Sequence, residues 1–177
     1  HEEGVDFKLS MDISPPLTGM MQSALLQEEF LQYIEGMVSL ARAEVERTRR
    51  EAPHFTHTAW MHLDTFLRCK EAFLSYGCDI TRAFKKHQDL GNLEISTCAA
   101  THAFLPFWQM YPEAVRAQVG VAVRDYERVF GRRPNGLWLP ECAYTPGIEK
   151  FLEEQGVRYF FSEARTVLDA DSRAEFG

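Results

Sequence analysis

Two stretches of the chain carry side chains that a scaffold could aim at a substrate. In GLWLPECAY, residues 136–144, an apolar run stops at Glu141, held between Pro140 and Cys142. In LEISTCAATHAFLP, residues 93–106, another such run gives way to Thr101 and His102. A carboxylate can serve as nucleophile or general acid/base, and an imidazole can hydrogen-bond a substrate or move a proton. Each group follows a short run of strand type, and in α/β proteins reactive groups lie just past the carboxyl ends of strands. A strand end is a rigid mount, so little freedom is lost when the group meets its target. Plainer uses compete: a Glu after a strand also serves as a surface residue or an N-cap partner, and a His near a core is often a satisfied hydrogen-bonding group. Glu94, inside the second run, must be paired or at an edge to avoid the cost of burying a charge.

Trp138, Tyr144, Phe104, Phe107 and Trp108 cluster around the two runs. Flat aromatic faces suit sugar rings, although aromatics beside strands also build cores. His54, His57, His62 and Asp64 resemble a metal cluster only at first sight. On a helix, His54 and His62 are about 12 Å apart along the axis and cannot share one ion. His57 and Asp64 fail for the same reason, so no metal is expected there.

The elements that must position these groups follow from periodicity. Phe7, Leu9, Met11 and Ile13 alternate with polar residues, which predicts a strand that Pro15-Pro16 ends. Leu26, Phe30, Ile34, Met37, Val38 and Ala41 predict a helix from about Ser23 to Arg50, closed by its arginines and Pro53. A second helix over about 54–75 has Trp60, Leu63, Leu67, Phe73 and Leu74 as core positions, and a short one follows near 80–88. Leu93 to Cys98 reads as a strand. Pro112 opens a helix carrying Val115, Val119, Val123, Tyr126 and Phe130, with Gly131 as its C-cap. Leu137–Leu139 is a strand, 148–155 a helix, and Val157–Phe161 a last strand. Strands alternating with helices predict parallel pairing with helical crossovers, either an open α/β sheet or part of a (β/α) barrel.

The totals narrow the class. A chain of 177 residues, 45% apolar and 25% charged, fits one soluble domain with a real core. A formal net charge of -7 argues against nucleic acid or an anionic membrane as partner. No run approaches the roughly 20 apolar residues of a membrane span, and no signal peptide opens the chain, so a cytoplasmic protein is expected. Cys69, Cys78, Cys98 and Cys142 are scattered without a C-x-x-C pair, which predicts reduced, mostly buried thiols. Both ends read as cut, at His1–Gly4 and at 169–177, which suggests a segment of a longer protein.

WLPECAY (138–144), the 93–106 stretch, AVRAQVGVAVRDYERVFGRRPNG (114–136) and FKLSMDISPPL (7–17) together resemble glycoside hydrolase family 57, its 1,4-α-glucan branching enzymes in particular. The likeness runs nearly the whole length of the chain. It implies an α/β fold, a partial (β/α)7 barrel over residues 1–177, and a retaining mechanism acting on α-1,4-glucan without a cofactor. It makes Glu141 the nucleophile and His102 a residue of the substrate cleft, and it adds Glu94, which falls in a family motif, with Thr101, Trp138 and Tyr144 to the substrate-binding set. The pattern also departs from the family. A histidine motif on an N-terminal strand has no counterpart here, since His1 has the wrong surroundings. The family's acid/base aspartate lies on a later strand, and none of Glu149, Glu153, Glu154, Glu163, Asp169, Asp171 and Glu175 sits in that motif. An inactive segment of a branching enzyme is therefore expected. An α-amylase, a 4-α-glucanotransferase or a non-catalytic glucan-binding module are the alternatives.

Overall fold

The structure, a computed structural model, describes residues 5–168 and Ala170. His1, Asp169, Asp171 and Glu175 lie outside the described residues. The chain forms two compact units, one of residues 20–83 and one of the residues on either side of them.

In the first unit, α2 (Ala24–Glu51) and α3 (Thr56–Ser75) pack on each other. Ser23 caps α2, its Oγ accepting from the Leu26 amide at 3.5 Å. Arg49 and Arg50 occupy the last turn, where positive charge suits the helix dipole, and Pro53 follows. Val38, Ala41, Val45, Ala59 and Leu63 form the shared core. Three expected core positions, Trp60, Leu67 and Leu74, are exposed instead, as are Leu26 and Phe30 of the α2 stripe. Helical periodicity marks which face is apolar but not how much of a helix 28 residues long finds a partner. Trp60 lies beneath the Arg49 guanidinium, 5.5 Å from the ring centroid, which uses its π-face at the surface.

The second unit holds a parallel sheet of β1 (Leu9–Asp12), β2 (Leu93–Cys98), β3 (Gly136–Trp138) and β4 (Tyr159–Phe161), in that spatial order. This is the α/β architecture of a partial (β/α)7 barrel, with helical segments between successive strands. Pro15 starts a helix, α1 (Pro15–Met21), instead of merely ending β1, because proline suits a first helical turn. The other helices are α4 (Thr81–Asp89), α5 (Pro112–Phe130), α6 (Glu149–Glu154) and α7 (Ala164–Leu168). α5 ends on Gly131, whose φ of 75° is the left-handed cap that glycine adopts freely.

The register sorts the sheet into two faces, since paired residues in parallel strands point the same way. Ile95, Leu137 and Phe160 lie on one face, and Val115, Val119 and Val123 of α5 with Phe151 and Leu152 of α6 pack into the core beside Leu137. The other face carries Ser10 and Asp12 on β1, Glu94, Ser96 and Cys98 on β2, Trp138 on β3, and Tyr159 and Phe161 on β4. This polar and aromatic face is the one available for chemistry. Of the four cysteines, all free, only Cys98 is buried; Cys69 is exposed, so the expectation of mostly buried thiols does not hold.

Candidate active site

The pairing of Cys98 with Trp138 brings the carboxyl ends of β2 and β3 side by side. Glu141 leaves the end of β3 and Thr101-His102 leaves the end of β2, so the two motifs open at the same end of the sheet.

Leu139 and Pro140 are buried, and the next residue, Glu141, is exposed. Glu141 and Cys142 both have left-handed backbones, with φ of 57° and 55°. For residues other than glycine such a conformation costs about 1–3 kcal/mol each and persists only where the surroundings impose it. They do so here. The Cys142 amide donates to Leu139 O at 2.8 Å, the Ala143 amide to Pro140 O at 3.1 Å, and Ser162 Oγ to Cys142 O at 3.0 Å. The strand core below and the β4 segment alongside thus hold a carboxylate out on a tight turn.

The β2 end is built in a similar way. The Thr101 amide donates to Gln118 Oε1 and Gln118 Nε2 donates to Thr101 Oγ1, each at 2.9 Å, so α5 clamps the loop at two points. The His102 amide then donates to Ala99 O at 2.9 Å, and His102 itself has a φ of 56°. The turn brings its Nδ1 to 3.8 Å from Cys98 Sγ. Beyond it, Phe104 and Phe107 pack with centroids 4.6 Å apart, Trp108 is exposed, and Gln109 donates to Thr145, tying this loop to the one after Glu141.

The remaining candidates occupy different settings. Trp138, half-buried on the polar face, stands 5.6 Å from Phe161 between ring centroids. Tyr144 stacks on Phe160 at 5.7 Å and packs against the core, with its hydroxyl donating to Glu149 Oε2 at 3.2 Å. Glu149 also accepts from the Gly147 amide, and its own backbone amide first, with that of Gly147 after it, holds its carboxyl below the ordinary range against the effect of burial. Glu94 lies near the start of β2, about 13 Å along the strand from Cys98 at 3.3 Å per residue. There it accepts from Asn135 Nδ2 at 3.1 Å and Tyr159 OH at 3.2 Å, and burial, with the Glu94 charge second, pushes the Tyr159 phenol up to about 12. The structure therefore brings Glu141, His102, Thr101 and Trp138 to one end of the sheet and places Glu94 at the other.

Asp12 is not among the groups that the sequence singles out, where it serves with Lys8 and Ser10 only as a polar position of an alternating strand. It sits at the end of β1, accepts from Ser96 Oγ at 2.9 Å, and has its carboxyl raised by burial, against which the Ser96 bond and His102 act. Two surface depressions, about 530 Å³ against β4 and about 320 Å³ by the starts of β1 and β2, are lined by neither Glu141 nor His102. Among the described residues no group of three His, Cys, Asp or Glu side chains is arranged to hold a metal, and no helix is long and apolar enough to cross a membrane.

Comparison with known proteins bears on the family and the fold. The family model of glycosyl hydrolase family 57 matches residues 7–174. The 1,4-alpha-glucan branching enzyme of Thermococcus kodakarensis is 31% identical over 191 aligned positions, covering 99% of this chain and 28% of that protein. Among solved structures, the alpha-amylase AmyC from Thermotoga maritima matches with a TM-score of 0.91 at 43% identity, over 95% of this chain and 32% of its own. The branching enzyme from Pyrococcus horikoshii matches with a TM-score of 0.86 at 31% identity, over 96% of this chain and 34% of its own. This chain thus spans about a third of the length of the proteins it resembles. It belongs to glycosyl hydrolase family 57.

Proposed function

We propose that this chain is the nucleophile-bearing part of an α-glucan-active enzyme that retains anomeric configuration, of the 1,4-α-glucan branching type. Glu141 attacks C1 of a glucosyl unit, and the C1–O4 bond breaks to leave a covalent glycosyl-enzyme. A second carboxyl, about 5–5.5 Å away in retaining enzymes, protonates the departing O4 and then takes the proton of the incoming 6-hydroxyl. Attack by that hydroxyl closes an α-1,6 linkage and frees Glu141. His102 and Thr101 line the cleft, Trp138 and Tyr144 frame the sugar, and Glu94 braces the strand that leads to His102. The resemblance to family 57 puts the second carboxyl on a later strand of a longer protein; in this segment Glu149 is engaged by Gly147 and Tyr144, and Glu154 by Arg116 at 2.8 Å. On this reading the 177 residues are inactive alone. No cofactor enters the chemistry. We place the enzyme in the cytoplasm, where its four free thiols would persist.

The observation that carries this reading is an exposed carboxylate on a left-handed turn at the end of a buried strand, inside the WLPECAY motif of a family 57 chain. Strained backbone of this kind concentrates at functional sites. Glu141→Gln in the full-length protein keeps size and removes the nucleophile, and should abolish formation of α-1,6 linkages from amylose. Near-normal branching in that variant would end the assignment.

A second reading, α-amylase, is favoured by the 43% identity and TM-score of 0.91 to the Thermotoga maritima alpha-amylase. The two separate on products. Branching creates α-1,6 linkages at constant reducing ends, while hydrolysis raises reducing ends and creates none.

A further inference from the structure

Asp12, Ser96 and Cys98 share the polar face of the sheet and have no part in the displacement just described. We propose that Cys98, backed by Asp12 on the neighbouring strand, is a positioning residue that keeps the His102 proton on Nε2 and directs that N–H at a sugar hydroxyl. This rests on His102 lining the glucan cleft.

Cys98 closes β2, and the chain returns over it through the Ala99 hydrogen bond and the left-handed His102 backbone. That return sets Nδ1 3.8 Å from Sγ, within reach of a sulfur hydrogen bond. A neutral imidazole has one donor and one acceptor nitrogen, and the partner of one decides the state of the other. A thiol that donates makes Nδ1 the acceptor and leaves the proton on Nε2. A thiolate would do the reverse.

The surroundings keep the thiol protonated. Cys98 is buried, and burial first and the Asp12 carboxylate second push it up to about 12, against a smaller opposing effect of the Ala99 backbone. Asp12 is fixed in turn: the register pairs it with Ser96, whose hydroxyl donates to Oδ1 at 2.9 Å. Across the sheet the partner of Cys98 is Trp138, which carries no charge. The Asp12 carboxylate acts on this thiol from β1, and the His102 ring touches it from the loop.

The test uses full-length protein with ¹⁵N-labelled histidine, the His102 signals being those lost in His102→Gln. Long-range proton–nitrogen correlation reads which ring nitrogen is protonated, and kcat/KM on amylose is measured beside it. The wild type should show the Nε2–H form. Cys98→Ala should mix the two tautomers and lower kcat/KM about 3–10-fold, the size of one hydrogen bond. Cys98→Ser, which keeps a donor, should restore both. Asp12→Asn should let the Cys98 thiol react with an alkylating reagent at lower pH. A wild-type His102 protonated on Nδ1, or a Cys98→Ala enzyme with unaltered tautomer and rate, would overturn the proposal. An unmoved thiol titration in Asp12→Asn would remove Asp12 from it. An enzyme with the expected tautomer and no action on glucan would sink the functional reading and leave the positioning role standing.

Discussion

Gly136→Ala perturbs the strand that delivers Glu141, and its cost can be worked from one close approach. A Cβ at Gly136 would sit 2.2 Å from Tyr159 Cε2, 2.3 Å from Cζ and 2.7 Å from the hydroxyl. Ordinary carbon contacts are about 3.5–4.0 Å, so the ring must move by more than about 1 Å. It is not free to do so cheaply. Its hydroxyl donates to Glu94 at 3.2 Å and its edge meets Phe161 at 5.6 Å. Displacing a packed ring costs about 1–3 kcal/mol, and losing a partly exposed hydrogen bond costs about 1 kcal/mol more. Replacing glycine by alanine returns about 0.5–1 kcal/mol of chain entropy. The net destabilisation is about 2 kcal/mol, or roughly 4–8 °C in Tm for a chain of this size. Thermal and urea unfolding of the wild type, Gly136→Ala, Tyr159→Ala and the double variant complete the cycle. In the Tyr159→Ala background, alanine at 136 should cost less than about 0.5 kcal/mol, because the ring that the new Cβ would strike is gone and only the small chain-entropy effect remains. Equal costs in both backgrounds, or a neutral single variant, would refute the close-approach account.

Three further outcomes are expected. Leu139→Ala empties a fully buried position directly before the candidate nucleophile and should cost about 2–5 kcal/mol in urea unfolding. Alanine at Gly131, with φ of 75°, should destabilise by about 1 kcal/mol, whereas alanine at Gly36, mid-helix with no atom within 4 Å, should stabilise by a similar amount. The Asp12 carboxyl is raised by burial, so folding favours its protonated form. Its favourable contribution is complete below the ordinary value of 3.8 and is lost as pH rises through the folded value. Asp12→Asn should therefore raise Tm at neutral pH, with the advantage closing in acid; an advantage that grows in acid would reverse the sign.

Much of the scaffold was legible because local rules and tertiary packing agree. Pro112 and Gly131 bracket α5, and all five apolar positions read between them are buried. β2 and β3 fall where short apolar runs meet turn residues, and the candidate groups Glu141 and His102 follow just past those boundaries. The long helices were less legible. Of the core positions expected on the second helix only Leu63 and Phe73 are buried, and in α2 the buried residues run from Ile34 to Thr48. The least legible part was the chemistry of the sheet face. Alternation in SMDIS and in LEISTC looks the same whether the polar side meets solvent or a cleft, so Asp12 and Cys98 carried no signal of their own. Glu94 gave a signal of the opposite kind: the motif groups it with His102, but about four strand positions set it at the far end of the sheet.

The central claim is a covalent bond between Glu141 and C1 of a glucosyl unit. Incubating the full-length protein with a fluorinated glucosyl donor that slows breakdown of the intermediate, followed by peptide mass mapping, reads it directly. The expected result is one added glycosyl group on the peptide holding GLWLPECAY, located at Glu141 and absent in Glu141→Gln. A label on another carboxylate, or turnover with inversion and no label at all, would contradict it.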